Sequence, residues 1–131
     1  MYLFVYGTLK RGHGNHRVLG DAKYIEDASM SGKMYSMGGF PGMIESDGLC
    51  DSVFGEIYEI EDRHLPGLDS LEGYNKNNPE YSMYIRKELP YYSTRHGEDG
   101  FNYTSIRGNA FVYIWNDDVR GRELIEDGTW R

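Results

Sequence analysis

Tyr2-Leu3-Phe4-Val5-Tyr6-Gly7-Thr8-Leu9 is the stretch around which the rest of the chain has to be arranged. Five β-favouring residues run into a glycine, and both alternating sets of positions are apolar. Such a strand is expected in the middle of a core rather than at a solvated edge. The Gly7-Thr8-Leu9 step then takes the backbone off the strand end with its N–H groups outward. Free amides at a strand end form a concavity suited to an anion or a carbonyl. Two readings stand here: the floor of a small-molecule site, or an ordinary core strand followed by a turn.

With 131 residues, the expectation is one domain over 1–131 with a single core. Twelve tyrosines and short runs of Ile, Val and Phe among seventeen glycines point to a strand-rich fold with many tight turns. Fourteen basic against twenty-one acidic residues leave a net charge of −7. That balance argues against nucleic acid and against an anionic membrane surface as partners. The one cysteine, Cys50, excludes an internal disulfide and a cysteine-based zinc site. Its acidic neighbours Asp47 and Asp51 disfavour a thiolate, so it is a poor nucleophile. No apolar run reaches membrane-span length and no basic–apolar leader opens the chain, so a soluble, cytoplasmic protein is expected.

Outward from the opening strand, Lys10 to Gly14 is a flexible basic loop, and Asn15 suits the N-cap of a short helix through Val18 and Leu19, closed by Gly20. Ala22 to Met37 alternates like strands interrupted at Ser31-Gly32. Gly38 to Met43 is expected to be irregular, anchored by Phe40 and Met43. Val53 to Ile60 is the clearest alternating strand. Leu65, Leu68 and Leu71 mark one face of a short helix, with Pro66 in its first turn and Gly73 just past its end. Tyr81 to Leu89 reads as a strand stopped by Pro90, Tyr91 to Ile106 as a mobile polar excursion, and Ala110 to Trp115 as a last strong strand. Asp117 to Arg131 is a charged tail with one helical turn.

Glu72 is the carboxylate best placed for chemistry. It falls at the predicted C-terminal end of the leucine helix, where the helix dipole opposes negative charge. Burial beside Leu71 and Tyr74 acts in the same direction, and both raise its pKa toward neutrality. The alternative is a solvated helix-end glutamate. Asp69 either points outward or holds the helix start. His13, His16, His64 and His96 lack a carboxylate pair or third ligand at metal-binding spacing, so no metal site is expected. No strained glycine-flanked serine turn supports a Ser–His–Asp triad, and Gly12 and Gly14 are too isolated for a phosphate loop.

Tyr6-Gly7-Thr8-Leu9-Lys10-Arg11-Gly12 followed by Asn15-His16 resembles the opening of the γ-glutamylcyclotransferase-like (AIG2-like) family, most closely its γ-glutamylamine cyclotransferase branch. Gly39-Phe40-Pro41 resembles the family's aromatic–proline loop, and Val53 to Tyr58 its glycine-containing central strand. Leu68-Asp69-Ser70-Leu71-Glu72-Gly73-Tyr74 is similar to its Leu-Asp-x-x-Glu-Gly-Tyr signature, and Ala110 to Trp115 to its final core strand. The resemblance implies an α+β fold, a small and mostly antiparallel β-barrel with short flanking helices. It implies an enzyme that converts a γ-glutamyl amine or γ-glutamyl amino acid to 5-oxoproline and releases the amine, without a cofactor. It also implies Glu72 as the catalytic acid/base, Tyr6, Gly7, Thr8 and Leu9 as the turn that holds the γ-glutamyl group, and Tyr113 as a pocket-lining tyrosine. The alternative on the same fold is a non-catalytic module that binds a small carboxylate. The expected partner is a small γ-glutamyl compound, with the protein a monomer or weak homodimer. The family's Tyr-x-Arg stays open between Tyr81 and the pair Tyr84 and Arg86.

Overall fold

The computed structural model describes residues 1–48, 51–93 and 106–131; Cys50, His96 and most of the predicted 91–106 excursion lie outside the described residues. In chain order the strands are β1 (Tyr2–Val5), β2 (Lys23–Ser36), β3 (Pro41–Glu45), β4 (Ser52–Glu59), β5 (Tyr84–Ser93), β6 (Ile106–Trp115) and β7 (Glu123–Leu124). One α-helix, α1 (Leu65–Leu71), lies between β4 and β5, and single 3-10 turns span His16–Leu19, Asp62–His64 and Pro79–Tyr81.

β1 takes the central place its double apolar face demands. It pairs antiparallel with β4 and parallel with β6, where Leu3 stands opposite Phe111. β4 continues to β2 and β6 to β5, and β5 returns to β2 through Ala28 opposite Ser93 and Ser29 opposite Tyr92. The five strands β2, β4, β1, β6 and β5 close into a barrel, antiparallel except at β1–β6. β3 and β7 add to β2. The mostly antiparallel barrel with short helices is therefore the architecture.

The two faces of β1 feed two different clusters. Phe4 and Tyr6 join Met30, Met43, Ile57 and Val112 from the strands, the interior of the barrel. Leu3 and Val5 join Leu9, Leu19 and Leu68, which seats α1 and the His16–Leu19 turn on the barrel's outside. Leu3 is fully buried and Val5 is 2% exposed. At about 25 cal/mol per Å² of apolar surface, this double burial makes β1 a principal source of stability.

Several sequence expectations need correction. β2 does not break at Ser31-Gly32 but runs unbroken through both. Gly32 is there because β3 lies too close for a side chain: a Cβ would stand 2.6 Å from the Ile44 carbonyl oxygen. Pro41 to Met43 are not irregular but open β3, with Pro41 at the strand's first position, where a missing N–H is tolerated. β5 passes through Pro90 to Ser93. Pro90 stands opposite Asn109 of β6, and among the described residues the pairing of β5 with β2 is at Tyr92 and Ser93, beyond the proline. The charged tail carries no helical turn. It adds β7 to β2, and Ile125 and Trp130 pack against the barrel interior. Asn15 precedes a 3-10 turn without capping it through its side chain. The leucine helix is as predicted, down to Gly73 at φ +63° just past its end. Among the described residues no helix is long and apolar enough to cross a membrane.

Candidate active site

The strand-end turn is held open from behind. The Gly7 carbonyl accepts the Lys10 N–H at 3.1 Å, and the Thr8 carbonyl accepts the Asn15 N–H at 3.0 Å. Asn15 also donates its side-chain amide to Thr8 Oγ1 at 3.0 Å. The Leu9 carbonyl takes His16 Nδ1–H at 2.9 Å, which sets the tautomer of that ring. These bonds use carbonyls, the Thr8 hydroxyl and side chains. The N–H groups of Gly7, Thr8 and Leu9 find no acceptor among the described residues. Gly7 is required by its neighbour: a Cβ would stand 2.6 Å from Pro41 Cγ and 2.9 Å from Cδ. The sequence offered the concavity as the reason for this glycine; the close approach of β3 is the reason the structure supplies.

Above the turn is a pocket of about 350 Å³. Tyr6, Gly7, Thr8, Leu9, Glu72 and Tyr113 all line it, so every site residue expected from the sequence meets there. Phe40, Pro41, Leu71, Met83 and Tyr84 complete much of the wall. Glu72 is half-buried at the end of α1, at φ −85° and ψ 0°, its N–H donating to the Leu68 carbonyl at 3.0 Å. Its carboxyl pairs with no cation or hydrogen-bond donor among the described residues. Burial pushes its pKa from 4.5 up to about 7. A group titrating there can both take and give a proton near neutrality.

Three buried tyrosines line the same pocket as this carboxyl. Tyr6 donates to the Tyr113 carbonyl at 2.7 Å and accepts the Met43 N–H at 3.2 Å. Tyr84 donates to the Pro41 carbonyl at 2.7 Å, tying β5 to the strand that packs on Gly7. Burial raises both hydroxyls above the ordinary phenol value, and the nearby Glu72 charge pushes the same way. Tyr113 is raised by burial and then by its bond to Asp69. All three stay protonated at neutral pH.

Asp69 neither points outward nor holds the helix start. It accepts the Tyr113 hydroxyl at 2.6 Å and Arg86 Nη1 at 2.8 and 2.9 Å. One turn before Glu72, α1 is thereby fastened to β5 and β6. Tyr81 is 86% exposed, whereas Tyr84 lines the pocket and Arg86 holds Asp69. The Tyr-x-Arg pattern is therefore Tyr84 and Arg86. From the sequence this pair is one of two candidates for the Tyr-x-Arg pattern, while Asn15 and Met83 are not expected as wall residues.

His64 is engaged elsewhere. His64 Nδ1 accepts the Glu61 N–H at 2.9 Å, which leaves its Nε2–H to Asp21 at 2.7 Å. Among the described residues no group of three or more His, Cys, Asp or Glu could hold a metal ion.

The family described as gamma-glutamyl cyclotransferase, AIG2-like, matches residues 3–131. The chain is 30% identical over 131 residues to the gamma-glutamylcyclotransferase family protein YtfP of Escherichia coli K12, covering 99% of this chain and 96% of that protein. It is 38% identical over 80 residues to the gamma-glutamylaminecyclotransferase of Bos taurus, covering 53% of this chain and 47% of that one. An AIG2-like protein of Mus musculus superposes with a TM-score of 0.66 at 29% identity, over 89% of this chain and 78% of the mouse chain.

Proposed function

The chain belongs to the gamma-glutamyl cyclotransferase, AIG2-like family and is a γ-glutamylcyclotransferase-like enzyme, and from that premise we propose that Glu72 is its general acid/base and the Gly7–Leu9 turn its γ-glutamyl cradle. The observation that carries this reading is a single juxtaposition. Gly7, Thr8 and Leu9, whose backbone amides have no acceptor among the described residues, line the same pocket as Glu72, whose carboxyl has no partner among them and a pKa of about 7.

The chemistry follows from that pairing. The substrate's α-ammonium gives a proton to the Glu72 carboxylate, and the freed amine attacks the γ-carbonyl carbon. As the ring nitrogen–carbon bond forms, negative charge gathers on the carbonyl oxygen, and the turn's N–H groups are suited to that oxygen or to the α-carboxylate. Glu72 then protonates the leaving nitrogen, and the bond from that nitrogen to the carbonyl carbon breaks. The proton remaining on the ring nitrogen passes to the departing amine. The products are 5-oxoproline and an ammonium ion, and no external nucleophile is needed. Tyr113 and Tyr84, kept neutral by burial and already donating their hydroxyl protons to Asp69 and the Pro41 carbonyl, are walls rather than acids or bases.

The test is 5-oxoproline release from γ-glutamyl amides by the native protein and by Glu72→Gln. The substitution keeps shape but cannot carry a proton, and is expected to lower kcat by at least about a hundredfold. Activity that survives it rules out the assigned role. Tight binding of a γ-glutamyl compound with no release of 5-oxoproline favours the non-catalytic module instead.

A further inference from the structure

The cradle ends at Leu9, and the direction of its amides depends on the path of the two residues that follow. Lys10 gives its N–H to the Gly7 carbonyl, and Arg11 donates its own to Glu56 Oε1 at 3.0 Å. Arg11 also donates Nε–H to Glu56 Oε2 at 3.2 Å, so one carboxylate grips both the backbone and the side chain of one residue. Tyr58, two residues further along β4, donates its hydroxyl proton to Glu56 Oε1 at 3.0 Å. The Tyr58 ring stands 5.8 Å from that of His16, whose Nδ1–H is on the Leu9 carbonyl. Glu56 itself is buried and lies opposite Val5 in the β1–β4 register. The strand that enters the turn and the chain that leaves it are therefore both held by Glu56.

Packing does not substitute for these bonds. Lys10, Arg11 and Glu56 border a second cavity of about 380 Å³, so the chain leaving the turn has open space beside it. Arg11, Glu56 and Tyr58 are absent from the lining of the pocket that holds Glu72. Amide donors stabilise developing charge only where they point at it, and a displacement on the order of 1 Å can cost about a hundredfold. With no acceptor for its N–H, Arg11 is free to swing into the cavity and to rotate the preceding amides with it.

We propose that Glu56 is a positioning residue for the cyclotransferase reaction: by capturing the Arg11 N–H it fixes the direction of the Gly7, Thr8 and Leu9 amides. It touches no substrate. The inference rests on the cradle assigned above and adds the residue that sets it. What the position requires is the reach of the side chain to the backbone, more than its charge.

Two substitutions separate reach from charge. Glu56→Gln keeps an acceptor oxygen at the same reach without the charge; Glu56→Asp keeps the charge one methylene short of Arg11. Each is assayed for 5-oxoproline release from a γ-glutamyl amide, with folding checked by near-ultraviolet circular dichroism. The Asp variant is expected to fall about tenfold or more below the Gln variant in kcat/KM. Calorimetric affinity for 5-oxoproline, which offers the amides a carbonyl and a carboxylate, is expected to follow the same order. The limb of the pH profile that Glu72 sets near pH 7 is expected to stay in place. In the native chain the Arg11 amide is expected to exchange with deuterium about a hundredfold or more slower than an unbonded loop amide. An Asp variant as active as the Gln variant overturns the positioning role alone, as does native product affinity in both folded variants. An unprotected Arg11 amide overturns it even if neither variant folds. A native chain that releases no 5-oxoproline overturns the cyclotransferase reading and this inference with it.

Discussion

At Glu72 the burial that readies a carboxyl for proton transfer also opposes its ionisation, so the same residue links activity to stability. The native state holds its proton up to about pH 7, while an unfolded chain releases it near the ordinary value of 4.5. Between those values the native state binds more protons than the unfolded one, so stability falls as pH rises through the window. The loss is up to about 3 kcal/mol, at 1.36 kcal/mol per unit. Glu72→Gln has no such term. Urea midpoints are therefore expected to show the variant gaining on the native protein between pH 4 and pH 8. A stability difference that does not change with pH would contradict the buried, unpaired carboxyl. This residue was legible in the sequence because Pro66, the leucine spacing and Gly73 mark a helix and its end. Asp69 was not, since its partners arrive from 17 and 44 residues along the chain. No local pattern announces a contact that long.

The elements that carry the site are joined by that same Asp69. α1 has seven residues, too short to be stable alone. What holds it is Leu68, fully buried, and the bonds from Asp69 to Arg86 on β5 and Tyr113 on β6. The ion pair is 16% and 20% exposed at its two side chains, so removing one partner strands a charge with little access to water. Arg86→Met is expected to destabilise the protein by roughly 2–3 kcal/mol. It should also lower kcat more than it raises KM, because the end of α1 is released while the cradle is untouched. Unaltered stability and kcat would show that α1 does not depend on this fastening. Strand interiors were readable from alternation, as β4 and the core of β6 show. Strand ends were not, because prolines belong to two strands: Pro41 opens β3 and Pro90 lies within β5, and only the pairing of neighbours reveals that the strands include them.

The barrel as a whole was foreseeable only through the likeness of several motifs in order; periodicity gives strands but not their neighbours. β1 lies between β4 and β6, and the Tyr6 hydroxyl is bonded to a carbonyl 107 residues away. β5 likewise has β6 as its long partner and, among the described residues, pairs with β2 through Tyr92 and Ser93. A chain ending at Ser93 therefore lacks one wall of β1 and most of the support of β5. It is expected to stay protease-sensitive, without the near-ultraviolet circular dichroism of packed tyrosines; a resistant, ordered fragment would show that closure is dispensable. The central position of β1 also has a consequence in time. At roughly 5–20 residues per second, a ribosome needs about 5–20 s to move from Tyr6 to Tyr113. Throughout that interval the most apolar segment of the chain has left the tunnel ahead of the strand that covers it. The residues that floor the pocket are thus made well before β6, the strand that completes their enclosure.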